Sequence, residues 1–136
     1  MASADGSQWL TELVARMKAG WPAGRWEWDG RFQCALTTLN QANEAQGRAS
    51  LLASLPGTWT RATLGEAPPL VQRICERTGG LKGAQMVYGA DLDGDLAYCL
   101  WWPWGDGATF SVRVGVISTD PGRDLTPDLR TAFGVR

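Results

Sequence analysis

Histidine is missing from this 136-residue chain. Its absence removes the usual general base near neutral pH, the commonest transition-metal ligand and every Ser-His or Cys-His nucleophile pair. Lysine is scarce as well, with only Lys18 and Lys82, and no run of Lys or Arg occurs. A formal net charge of −1 gives no overall electrostatic pull toward nucleic acid or an anionic membrane. No apolar run approaches the ~20 residues that span a bilayer. Residues 1–9, MASADGSQW, lack the basic and apolar regions of a secretory signal, and no lipidation signature is present. The expectation is a cytoplasmic protein. Cysteine is sparse: Cys34, Cys75 and Cys99 are widely spaced, odd in number and each set in an apolar run. Small buried thiols in a reduced compartment fit that pattern. The large excess of arginine over lysine suggests a GC-rich bacterial genome, which concerns codons and not function.

The length suits one domain over 1–136, with 1–6 expected to fray. The stretch that organises it is Gln85–Ile117, QMVYGADLDGDLAYCLWWPWGDGATFSVRVGVI. Three apolar runs separated by two turn signals predict an antiparallel three-strand meander over about 84–91, 96–102 and 109–117. Asp93-Gly94 is a strong hairpin signal, because glycine takes the positive φ of a primed turn. A two-residue loop there sets Leu92 opposite Asp95, Ala90 opposite Ala97, Tyr88 opposite Cys99 and Met86 opposite Trp101. Met86, Tyr88, Ala90, Ala97, Cys99 and Trp101 then share one face, and Val87, Leu96, Tyr98, Leu100 and Trp102 the other. If 109–117 is an edge, Ser111, Arg113 and Gly115 form its wet face.

Elsewhere the periodicity is mostly helical. Ser7 reads as the N-cap of a helix over 8–19, with Trp9, Leu10, Leu13, Val14 and Met17 as its stripe. Arg25 to Trp28 alternates like a short strand. Asp29-Gly30 read as a two-residue hairpin would put Trp26 opposite Gln33 and Trp28 opposite Arg31, an unfavourable mixture. Read as an N-cap, Asp29 opens a helix over 30–46 with Phe32, Ala35, Leu36, Leu39 and Ala42 at helical spacing. That helix is preferred, although Cys34 and Thr37-Thr38 keep a strand open. Gly47 breaks or bends the pattern, and 49–55 adds a turn or two of helix. Thr58 to Leu64 reads as a strand with Trp59 as its core anchor. Pro68-Pro69 starts a helix buried through Leu70, Val71, Ile74 and Cys75 and ended by Gly79-Gly80. Thr126 caps a short helix docked by Leu129 and Phe133. The expected architecture is α+β: the meander plus one or two further strands, with helices packed on one face.

Eight tryptophans make the aromatic surface the leading functional signal. The loop Trp101-Trp102-Pro103-Trp104-Gly105-Asp106-Gly107 is the first candidate binding site. Alternation sends Trp101 and Trp102 to opposite faces, and Trp104, past Pro103, is the best bet for exposure. Tryptophan supplies large contact area at low entropy cost. Trp21, Trp26 and Trp28 form a second aromatic group near the end of the first helix, which would enlarge the patch if it converged with Trp104. Asp91-Leu92-Asp93-Gly94-Asp95 looks like the opening of a calcium loop, but Tyr98, Cys99 and Trp102 stand where ligands should continue, so no metal is expected. Asp106, Asp91, Glu27 and Glu66 read as solvated charges, and Gly79–Gly83 lacks a phosphate-loop pattern. No cofactor motif and no family resemblance emerge. The expected function is a non-enzymatic interaction, regulatory or adaptor module that binds another protein, or a second copy of itself, through the Trp-rich loop. The alternative is a small-ligand or carbohydrate-binding domain with stacking tryptophans. A histidine-independent enzyme using Cys99 or Asp106 ranks last.

Overall fold

The computed structural model describes residues 2–22, 25–92 and 94–135, with side chains from residue 8 onward except at position 92. Asp93, half of the expected hairpin turn, and Met1, the first of the residues expected to fray, lie outside the described residues. In chain order the elements are α1 (Ala2–Gly20), β1 (Glu27–Asp29), β2 (Cys34–Asn40), α2 (Glu44–Ser54), β3 (Gly57–Thr60), α3 (Pro69–Arg77), β4 (Met86–Leu92), β5 (Asp95–Pro103), β6 (Thr109–Ser118) and α4 (Thr126–Phe133). The six strands form one antiparallel sheet in the order β1-β2-β6-β5-β4-β3. This is an α+β fold, with one strand more than the sequence suggested.

The β4–β5 register is the one a two-residue turn requires: Leu92 faces Asp95, Ala90 faces Ala97, Tyr88 faces Cys99 and Met86 faces Trp101. Side chains alternate, so the sheet has two faces. The first carries Ala35, Leu39, Tyr88, Ala97, Cys99, Trp101, Phe110, Val112 and Val114, and it is roofed by α1, α2 and α4 through Leu10, Val14, Met17, Leu51, Leu129 and Phe133. The second carries Val87, Leu96, Tyr98 and Leu100, roofed by α3 through Leu70, Val71, Ile74 and Cys75. Helices therefore pack on both faces, not on one. The sheet is the reason: β5 is buried along most of its length because both of its sides are apolar, and such a strand needs two roofs.

The helix expected over 30–46 is instead a loop followed by β2. Asp29 does act as a local cap, its Oδ1 accepting from the Arg31 N–H at 3.0 Å and the Phe32 N–H at 3.4 Å. It nucleates a four-residue turn, closed by Gln33 at φ 53° with Nε2 donating to Gly30 O at 2.8 Å. The longer loop shifts the register so that Trp28 faces Ala35, avoiding the mismatch of a two-residue loop. Paired with β1 on one side and β6 on the other, β2 follows its tertiary neighbours and not its helical spacing. It also makes β6 an interior strand, so the 109–117 edge does not exist.

Other boundaries differ in smaller ways, among them the strand expected over Thr58 to Leu64, which ends at Thr60. α1 begins at Ala2, ahead of the expected cap at Ser7. Thr126 is the first residue of α4, and the Asp124 carboxylate takes the capping role by accepting from the Thr126 N–H at 3.0 Å. Gly47 lies within α2 instead of breaking it, at a point where a Cβ would stand 2.5 Å from Leu39 Cδ1. Close approach to the sheet, and not a bend, explains that glycine.

Candidate functional site

The tryptophan loop divides as strand alternation demands. Trp101 is fully buried on the three-helix face, with Phe110 at 5.0 Å between ring centroids and the Arg48 guanidinium 4.4 Å over its ring. It presents no surface to a partner. Trp102 is half-buried on the α3 face, and Trp104, 51 % exposed, stands at the same corner. The Trp104 Nε1 donates to Ser111 Oγ at 2.7 Å, which holds the indole against β6. Asp106 is consumed by its own turn: Oδ1 accepts from the N–H groups of Ala108 and Thr109, each at 2.9 Å, and Oδ2 from the Thr109 hydroxyl at 2.6 Å. The Thr109 hydroxyl, followed by the Ala108 N–H, holds this carboxyl below the ordinary carboxylate range. Asp106 shapes the hairpin that carries Trp104.

Trp26 and Trp28 lie elsewhere. Trp26 stacks on Trp21 at 5.2 Å and Phe133 at 4.6 Å, while Arg130 of α4 covers Trp28 at 5.1 Å. Both pack against the three-helix core, so they do not converge with Trp104.

What does gather on the α3 face is a set of residues from four elements. α3 lies over β5 and part of β6, with Val87 of β4 in the same apolar cluster, and the rest of β6, together with β2 and β1, has no described helix packed on this face. Into this uncovered half the 30–33 loop folds Phe32, with Trp102 edge-on at 5.8 Å. Arg113 of β6 lies 4.5 Å over the Trp102 ring and 5.4 Å from Phe32, and its Nε donates to Asp29 Oδ2 at 3.1 Å. Arg31 sits 4.8 Å from Phe32 on the outer side. The result is an alternating cation–aromatic stack, with one internal ion pair steering Arg113. Arg113 thus has a partner and a position inside the sheet, in place of the wet face of an edge strand that the sequence suggested.

A trough runs beside this stack, between α3 with its following loop and the 30–33 loop. It consists of three neighbouring hollows. The largest, of about 390 Å³, is bordered by Phe32, Arg73, Arg77, Tyr98 and the 118–126 segment. The next, about 310 Å³, shares Phe32, Arg77 and Tyr98 and adds Arg31. The third, about 220 Å³, continues past Arg31 and Phe32 to Lys82, Trp102 and Arg113.

The remaining reactive groups are quiet. Burial pushes the Cys34 thiol up to about 12, aided by the nearby Asp29 carboxylate, and burial lifts Cys75 to about 11 and Cys99 well above the ordinary thiol range. Such thiols are poor nucleophiles. Both Asp95 carboxylate oxygens accept from Arg123 Nε at 3.1 Å. Asp91 pairs with Leu96 and so lies on the opposite face from Asp95, which separates the carboxylates of the calcium-like segment. No group of three or more metal-ligating side chains forms among the described residues, and no described helix is long and apolar enough to cross a membrane. Comparison with known proteins gives no match: no family model, no curated protein and no solved structure is similar to the chain.

Of the candidate residues read from the sequence, Trp102 and Trp104 share one surface, Asp106 supports it from behind, and Trp101, Trp26 and Trp28 belong to the core side. Phe32, Tyr98, Arg31, Arg77 and Arg113 were missed. Arg113 alone had a local signal, a charge in the middle of an apolar strand.

Proposed function

We propose that this chain is a non-enzymatic protein-interaction module that grips its partner with the uncovered half of the sheet, Trp102 and Trp104 forming the corner of the contact. The observation that carries the reading is Trp104: a large indole, 51 % exposed, whose Nε1 donates to Ser111 Oγ and ties it to β6. A rigid aromatic beside arginine is the composition of an interface hot spot, because it offers area without a large ordering cost. Exposed Thr38 and Asn40 and half-buried Leu36 continue the surface along β2.

The test is affinity capture from an extract of the native host, wild type beside Trp104→Ala, read by mass spectrometry. A partner held by wild type and lost by the variant, with the thermal midpoint nearly unchanged, supports the reading. Identical capture by both baits removes Trp104 from the contact. The fixed indole also favours a second reading, in which Trp104 stacks on a sugar ring. Tryptophan fluorescence that stays flat across a panel of saccharides would remove that alternative.

A further inference from the structure

Resting on the interaction-module reading, we infer that the trough beside α3 receives an extended acidic segment of the partner, its carboxylates meeting Arg73, Arg77, Arg31 and Lys82. Three observations converge. First, these four cations are exposed, and none has a carboxylate within ion-pair distance among the described residues, whose ion pairs are Arg48–Glu44, Arg113–Asp29 and Arg123–Asp95. Other exposed cations of this slightly acidic chain lack an ion pair too; these four are set apart by bordering one groove.

Second, the floor of the trough supplies a donor without an acceptor. Tyr98 is 3 % exposed, borders both larger hollows, and its hydroxyl makes no hydrogen bond among the described residues. Burial pushes this phenol well above its ordinary value, so it keeps its proton and stays a donor. Trp102, at the far end, borders the third hollow, but its Nε1 is sealed from solvent and is not a donor the trough presents. The Tyr98 hydroxyl opens onto the hollows it borders, so a ligand acceptor can take its hydrogen bond. Gly115 shows that the tyrosine's position is built in: a Cβ there would overlap the Tyr98 ring and hydroxyl.

Third, the carboxylates lie only at one end, beside the largest hollow, and each is turned toward a backbone N–H. Asp120 Oδ1 accepts from the Gly122 N–H at 2.9 Å, and Asp124 caps α4. The two hollows nearer Trp102 are bordered by no carboxylate. Three hollows in a row, open along their length, suit a strand of peptide and would leave a small molecule mostly wet, whereas small-ligand sites bury most of their ligand. Phe32 and Trp102 between the hollows offer apolar contacts to the segment's intervening side chains.

Fluorescence anisotropy on the full chain tests this. The ligand is a short fluorescein-labelled peptide in which Glu and Asp alternate with Phe and Leu, compared with its twin carrying Gln and Asn. The acidic peptide should bind about tenfold tighter than the twin or better, a gap of one decade in Kd. Raising salt should weaken it, since the pairs are exposed. The surface double variant Arg73→Gln/Arg77→Gln should lose about tenfold by the same measure, and Tyr98→Phe, which removes only the hydroxyl, a smaller factor. Unchanged thermal midpoints exclude unfolding as the cause. Equal binding of the twins, no binding of either, or indifference to the arginine changes overturns the proposal. Displacement of the peptide by equimolar inorganic phosphate overturns it too, assigning the trough to small anions. If the neutral twin binds and Trp104→Ala abolishes that binding, the module reading survives while the acidic-partner inference falls. Capture by neither bait from host extract would instead remove the module reading itself.

Discussion

The two faces of the sheet are made by the same six strands and finish with opposite character. One is closed: three helices cover it, and its side chains are Leu, Val, Met, Phe and a buried Trp. The other is closed only where α3 lies, and its open half holds Phe32, Trp102, Trp104, Arg31 and Arg113. Adjacent residues in one strand divide between them, Trp101 to the closed face and Trp102 to the open one. The same residue type therefore performs two tasks one position apart. On the closed face an indole contributes buried area. On the open face it supplies a rigid platform with a cation over it. The difference lies in what covers each face, and the coverage follows from having four helices of which three share a side.

The comparison breaks most visibly at Trp101. Truncation to Ala removes a large buried side chain and leaves Arg48 and Phe110 facing a void, so Trp101→Ala should cost about 3–5 kcal/mol. Chemical denaturation measures it, and a loss under ~1 kcal/mol would mean that the closed face is not the stability centre. A smaller effect is expected on the other side. Gly115→Ala forces the Tyr98 ring out of its place over β6, an overpacking change of about 1–3 kcal/mol. Combining it with Tyr98→Ala should restore part of that loss, since the clash disappears with the ring. Additive losses in the double variant would show that the glycine matters for some other reason.

How much of this was legible from the residues depends on how local each determinant is. The β4–β5 register follows from Asp-Gly and alternation, both contained within a few positions, and it was readable to the residue. The split of Trp101 from Trp102 follows from the same alternation. β2 was misread because Phe32, Ala35, Leu36 and Leu39 imitate a helical stripe, while the deciding facts are long-range: pairing with β6, distant in sequence, and a loop with Gln33 at positive φ. The β-branched Thr37-Thr38 pair was the local sign that a strand could win. The trough was illegible for a related reason. Its residues come from the 30–33 loop, α3, β5 and β6, and they meet only once β2 is a strand and α3 has chosen the face opposite the other helices. No spacing rule encodes that choice, whereas Trp104 advertised itself by following a proline in a turn.

The least disruptive probe sharpens the open face without touching its aromatics. Asp106 holds the 104–109 turn through the Thr109 hydroxyl and two N–H groups, and those bonds depress its pKa from the ordinary value of 3.8. A depressed carboxyl contributes stability that is present above its unfolded value and lost as pH falls through the folded one. The hairpin should therefore stay intact from neutral pH down to the ordinary carboxylate range and loosen only below it. Asp106→Asn keeps one acceptor and loses the bond from the Thr109 hydroxyl to Oδ2, so it should mimic that acid loosening at neutral pH. Because the group is fully exposed, global unfolding should barely shift. The change belongs in the Trp104 fluorescence anisotropy and in partner affinity, both of which depend on a fixed indole. If Asp106→Asn leaves Trp104 as rigid as before, the Ser111 bond alone orients it and the turn is passive. If affinity falls while the denaturation midpoint holds, presentation of the open face is separable from the stability of the closed one.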